Sequence, residues 1–122
     1  MKERILEKSP LGEAICARLR AEMAQLGFSA VPSIGVPDYQ HAAFSCARDP
    51  YSGEEALIAT WCDQNGRTRG TLKFHGDGTF YAEYDIARPH PTDARWFVES
   101  VMAWGKGELI KAEAKLLPAL RP

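Results

Sequence analysis

Between Leu57 and Ile86 apolar and polar residues alternate in three runs, cut by Asn65-Gly66 and by Gly76-Asp77-Gly78. Period-two alternation broken by such turn formers predicts a three-strand antiparallel meander. A two-residue Asn65-Gly66 loop sets Gln64 against Arg67, Asp63 against Thr68 and Cys62 against Arg69. Further along, Trp61 meets Gly70, Ala59 meets Leu72 and Leu57 meets Phe74. A two-residue second loop would place Lys73 among core residues. A three-residue Gly76-Asp77-Gly78 loop avoids this, with Gly78 left-handed. His75 then faces Thr79, Phe74 faces Phe80, Leu72 faces Ala82 and Gly70 faces Tyr84. One face carries Leu57, Ala59, Trp61, Gly70, Leu72, Phe74, Phe80, Ala82, Tyr84 and Ile86. The other carries Ile58, Thr60, Cys62, Arg69, Thr71, Lys73, His75, Tyr81, Glu83 and Asp85. A one-residue slip would invert a strand, so agreement across two turns constrains the register.

Before the meander, Ser9-Pro10 reads as a helix start, with Ser9 as N-cap. Leu11, Ile15, Leu19, Met23 and Leu26 follow at near-helical spacing, and Gly27 supplies a left-handed cap over which Phe28 folds back. The first eight residues fit either a helical lead-in or a frayed end. Residues 29–38 carry Pro32, Gly35 and Pro37 and read as a connector. Tyr39 to Ala47 alternates weakly, with Ala42, Phe44 and Cys46 on one side, and is expected as a fourth strand beside Leu57–Cys62. A turn follows at residues 48–53.

After the meander, Arg88-Pro89-His90-Pro91 is a stiff exit, and Thr92 reads as an N-cap with Asp93 in the first turn. Ala94, Phe97, Val98, Val101 and Trp104 share one face of an expected helix. Gly105-Lys106-Gly107 breaks it, and Glu108 to Leu117 forms a second helical pattern that Pro118 stops. The summed expectation is an α+β fold, a two-layer helix–four-strand antiparallel meander–helix (α–β4–α), in one domain over residues 1–122.

Composition changes this picture little. A chain of 122 residues, 45% hydrophobic and 25% charged, is ordinary for one globular domain. A formal net charge of -1 gives no electrostatic pull toward nucleic acid or anionic membrane. No apolar run approaches the ~20 residues that span a bilayer, and Met1-Lys2-Glu3-Arg4 lacks the apolar core of a signal peptide. Cys16, Cys46 and Cys62 are odd in number and lack CxxC spacing, which points to reduced thiols and a cytoplasmic location.

Candidate chemistry is sparse. The open sheet face offers Arg69, His75, Tyr81 and Asp85, with Arg69 facing Asp85, Thr71 facing Glu83 and Lys73 facing Tyr81. Such cross-strand pairs stabilise a solvated face on their own account. Cys62 beside Arg69 could hold a lowered thiol pKa, but the register brings no histidine base to it. His41, His75 and His90 lie in separate segments without metal-ligand spacing, so no metal is expected. Neither glycine triplet has the strand–loop–helix setting of a phosphate site, and no cofactor motif appears. Trp96 lies almost opposite the Phe97–Val101 stripe, and an uncovered Trp marks a partner or dimer surface. These readings favour a small non-catalytic binding or protein-interaction domain, with a second protein or a second copy as partner. The alternative is a small enzyme or ligand binder with a polar pocket near His75, Asp77, His90 and Asp93.

The run HGDGTFYAEYDIARPHPTDARWFVESVMAWG, from His75 to Gly105, resembles segments of small uncharacterised bacterial proteins of similar length. The likeness extends from about Trp61 onward and implies no activity, so it assigns no functional residue. The expected element order is also loosely similar to frataxin-like and secretion-chaperone-like domains. The chain lacks the acidic first helix that iron binding by frataxins would imply.

Overall fold

The computed structural model describes residues 1–28, 34–50 and 52–120. Two helices, α1 (Lys2–Glu7) and α2 (Ser9–Leu26), lead through a 3-10 turn at Tyr39–His41 into six strands. These are β1 (Ala43–Arg48), β2 (Glu55–Cys62), β3 (Thr68–Phe74), β4 (Thr79–Pro89), β5 (Trp96–Lys106) and β6 (Leu109–Pro118). They form one antiparallel sheet in chain order, a six-strand meander. The expected α–β4–α arrangement is therefore wrong, because the two C-terminal helices do not exist.

That segment folds as a hairpin for identifiable reasons. Along β5, Val101, Ala103 and Gly105 face the core opposite Tyr84, Ala82 and Phe80, while Ser100, Met102 and Trp104 point the other way. In β6, Ile110, Ala112 and Ala114 alternate with Lys111, Glu113 and Lys115, a strict period of two. Gly107, at φ 59, opens a two-residue turn with Glu108, which suits a Gly-X hairpin. Pairing also satisfies the backbone groups along eleven-residue β4, which would otherwise form a bare sheet edge. Thr92 and Asp93 accordingly cap no helix. Asp93 Oδ1 accepts from Arg95 N (3.1 Å) in a turn that feeds β5.

The central meander follows the expected register from Leu57–Phe74 to Trp61–Gly70 and from Gly70–Tyr84 to Phe74–Phe80. Its first turn differs. Asp63 N donates to Arg67 O (2.8 Å), leaving a three-residue loop with Gly66 left-handed at φ 79. Cys62 consequently pairs with Thr68, and Arg69 is the extra residue of a bulge that restores the register at Trp61–Gly70. Asp63 Oδ1 selects this loop by accepting from Asn65 N (2.8 Å) and Arg67 N (3.0 Å). The fourth strand pairs with β2 as expected, but only from Ala43, since Tyr39–His41 is 3-10. The remaining connector and turn residues, 29–33 and Tyr51, lie outside the described residues.

The core lies between α2 and one sheet face. Ile15, Cys16, Leu19 and Met23 are buried against Leu57, Leu72, Ala82, Val101 and Ala103. Lys8 rather than Ser9 caps α2, which continues from α1 through a bend. Gly27, at φ 97, ends it, and Phe28 N donates to Met23 O (2.9 Å), the expected Schellman closure. A side chain on Gly70 would collide with the Glu83 carbonyl and Tyr84. Its absence lets Trp61 and Tyr84, from the flanking strands, meet edge-to-face at 6.0 Å between centroids. Their polar tips are satisfied by Asp38 O (2.8 Å) and Ile34 O (2.5 Å). Among the described residues no helix is long and apolar enough to cross a membrane.

Candidate functional site

The face away from α2 is uncovered by any described element, and the strand register sets its side chains in rows. One row runs Ile58, Lys73, Tyr81, Trp104, Lys111 across β2 to β6. The next runs Thr60, Thr71, Glu83, Met102, Glu113. Tyr81, Trp104 and Met102 thus form a small apolar centre with charges on both flanks. Tyr81 keeps 42% of its surface exposed. Its hydroxyl donates to Glu83 Oε2 (3.0 Å) and lies 3.3 Å from Met102 Sδ. Partial burial, then the Glu83 carboxylate, raise its pKa above the usual tyrosine value.

Further along the same face, Asp85 pairs with Ser100. Burial raises the Asp85 carboxyl above its ordinary pKa, and repulsion from Glu83 and Glu99 adds to this against the attraction of Arg69. The expected Arg69–Asp85 partnership is thus felt electrostatically. Ser100 is fully buried, and its Oγ has no hydrogen-bond partner among the described residues. Both residues sit beside paired bulges, one in β4 between Asp85 and Arg88 and one in β5 between Val98 and Ser100. There Ala87 takes a left-handed φ of 52. Lys115 Nζ closes on Glu99 Oε2 at 3.1 Å.

Arg69 also lines a polar cleft of about 460 Å³ with Cys62, Asp63, Asn65 and Tyr84. Arg69 reaches it as the extra residue of the β3 bulge. Cys62 is exposed there, and Cys16 is the buried thiol, pushed up to about 12 by burial and so unreactive.

The remaining sequence candidates do not join this face in one site. His75 Nδ1 lies 3.7 Å from Asp49 Oδ2, and Asp77 is taken up by its own turn through Thr79 N (2.9 Å) and Oγ1 (2.6 Å). His90 Nδ1 accepts from Thr92 N (3.2 Å) and Asp93 N (3.1 Å), so it organises a turn. Arg95 holds the Asp93 carboxyl down at about 2. The His75–Asp77 and His90–Asp93 groups stand at opposite ends of eleven-residue β4, roughly 30 Å apart. Among the described residues no group of three or more His, Cys, Asp or Glu is placed to hold a metal ion.

Trp96 is a strand residue paired with Pro118, half-buried in an apolar cleft of about 450 Å³ with Pro89, Phe97, Leu117 and Leu120. Ala103, on the same strand, is buried under α2. The open-face pair Trp104 and Met102 escaped the sequence reading because a helix put Trp104 toward the core. The alternation Ser100, Met102, Trp104 was the signal that finds them. Comparison of the chain with protein-family models, curated proteins and solved structures finds no match.

Proposed function

We propose that this chain is a protein-interaction domain that binds through the open sheet face centred on Tyr81 and Trp104. The observation that carries the reading is their direct cross-strand pairing in the middle of an uncovered face, with Met102 beside them. Interfaces concentrate aromatic residues and Met at their centres and keep charge at the rim. The surroundings follow that plan, with Lys73 and Lys111 on one row and Glu83 and Glu113 on the next. Tyr81 is held by Glu83, so little side-chain freedom is left to lose on binding. The mixed signs favour a partner surface that is itself of mixed charge.

The test uses Tyr81→Ala with Trp104→Ala as bait beside the wild type, in affinity capture from the native host followed by mass spectrometry. A partner retained by the wild type and lost by the double variant, at unchanged melting temperature, supports the reading. Identical capture by both proteins refutes it.

A further inference from the structure

We infer that β6 is a self-complementary edge through which two copies of this chain join into one continuous sheet, with Ala114 on the two-fold axis. The hairpin turn decides which backbone groups are available. A two-residue loop closes on a hydrogen-bonded pair, here Lys106 and Leu109, so Leu109, Lys111 and Glu113 direct their backbone groups at β5. The Leu109 carbonyl indeed lies so close over Gly105 that any Cβ there would strike it. Ile110, Ala112, Ala114, Leu116 and Pro118 therefore present theirs outward. The bulge near Glu99 is in β5, so the alternation along β6 is unbroken.

Two antiparallel copies related by a two-fold axis normal to the sheet must centre on a residue, and the charges discriminate between centres. Centring on Glu113 would oppose Glu113 to itself and Lys111 to Lys115. Centring on Ala114 sets Glu113 against Lys115 of the second copy, twice over, each Lys115, already 3.1 Å from Glu99 of its own chain, then lying between two carboxylates. Glu113 has no ion-pair partner of its own among the described residues.

The backbone discriminates further. Centring on Ala112 also matches Lys111 with Glu113, but it asks the Ile110 carbonyl to accept from Ala114 of the second copy. That carbonyl already accepts from Arg18 Nη1 at 3.1 Å. Centring on Ala114 sets Ile110 opposite Pro118, which has no N–H to give, so Arg18 keeps its bond. Ala114 then exchanges bonds with Ala114, and Ala112 with Leu116. Apolar residues stand at both ends of this register. Leu109 (64% exposed), Leu116 (36%) and Leu117 (41%) flank the strand's charged middle. The antiparallel arrangement brings Leu109 of one copy to the Leu117 end of the other.

Sedimentation velocity over a concentration series, with hydrogen exchange of the backbone amides, tests the proposal. The wild type is expected to dimerise, with the Ala112, Ala114 and Leu116 amides becoming protected as concentration rises. Ala114→Pro removes an outward donor at a position an edge strand tolerates, and it is expected to give a folded monomer. Glu113→Lys and Lys115→Glu each create two repulsive pairs and are expected to weaken association at least about tenfold. An equimolar mixture of the two regains complementary pairs and is expected to restore a mixed dimer. Tyr81→Ala with Trp104→Ala leaves this edge intact, so loss of the open-face partner and loss of the dimer are separate outcomes. A wild type that stays monomeric into the high micromolar range overturns the proposal, the lysines and Pro118 then serving only to blunt the edge. A dimer that survives Ala114→Pro overturns it too.

Discussion

The β2–β4 meander and the β5–β6 hairpin belong to one sheet yet are built from different materials. In the meander, large apolar residues occupy one face, and Leu57, Leu72 and Phe74 have no place in a helix that would leave Lys73 between them. In the hairpin the inward residues of β6 are Ile110, Ala112 and Ala114, two of the three small and helix-favouring, separated by Lys and Glu. The meander specifies itself by its pattern. The hairpin takes its strand form from pairing with β4, which shows how tertiary contact overrides local propensity.

The difference predicts unequal responses to equal truncations. Leu72→Ala removes a fully buried side chain and is expected to cost about 3 kcal/mol in urea unfolding, whereas Ile110→Ala at the half-buried edge costs about 1 kcal/mol. Equal losses would remove the contrast between a self-specifying centre and a templated edge.

Smaller effects sharpen the comparison at the turn. Gly107 sits at φ 59, with open space where a side chain would go. Gly107→Ala is expected to lower stability by about 1 kcal/mol through backbone strain alone, and Gly107→Asn by less. Equal values for the two variants would show that the turn is not left-handed there.

The smallest effect concerns pH. Asp85 is raised in the folded chain, chiefly by burial, so its folded pKa lies above its unfolded one. Such a group favours the folded state fully below its unfolded pKa, and that contribution is lost as pH rises through the folded value. Asp85→Asn is therefore expected to raise the melting temperature at pH 7 and to have no such effect below about pH 4. A rise of the same size at both would deny that the carboxylate charge is the cause.

Legibility in the sequence tracks the same division. Helix α2, its Gly27 cap and the pairs from Leu57–Phe74 to Gly70–Tyr84 are all readable, because each rests on large apolar residues or turn chemistry at fixed spacing. The Asn65-Gly66 loop misled by one residue. The Asp63 side chain, whose hydrogen bonds select the longer loop, weighs little in a pattern of apolar positions. At residues 94–104, Phe97, Val98, Val101 and Trp104 fit a helical face at i, i+1, i+4 and i+7 as well as a bulged strand. The bulge at Glu99 disguised the alternation. On the open face Arg69, Tyr81 and Asp85 can be placed from the meander, while Trp104 and Met102 cannot, since the apolar spacing of the strand that carries them fits a helix.

The central claim is that residues 96–118 extend the meander and set Trp104 beside Tyr81 on the open face. Nuclear Overhauser contacts in the labelled protein test it most directly. Cross-strand contacts Tyr81–Trp104 and Ala103–Ala112 are predicted. Unbroken sequential amide–amide contacts from 96 to 104, with i to i+3 contacts linking Phe97 to Ser100 and Val98 to Val101, would contradict it.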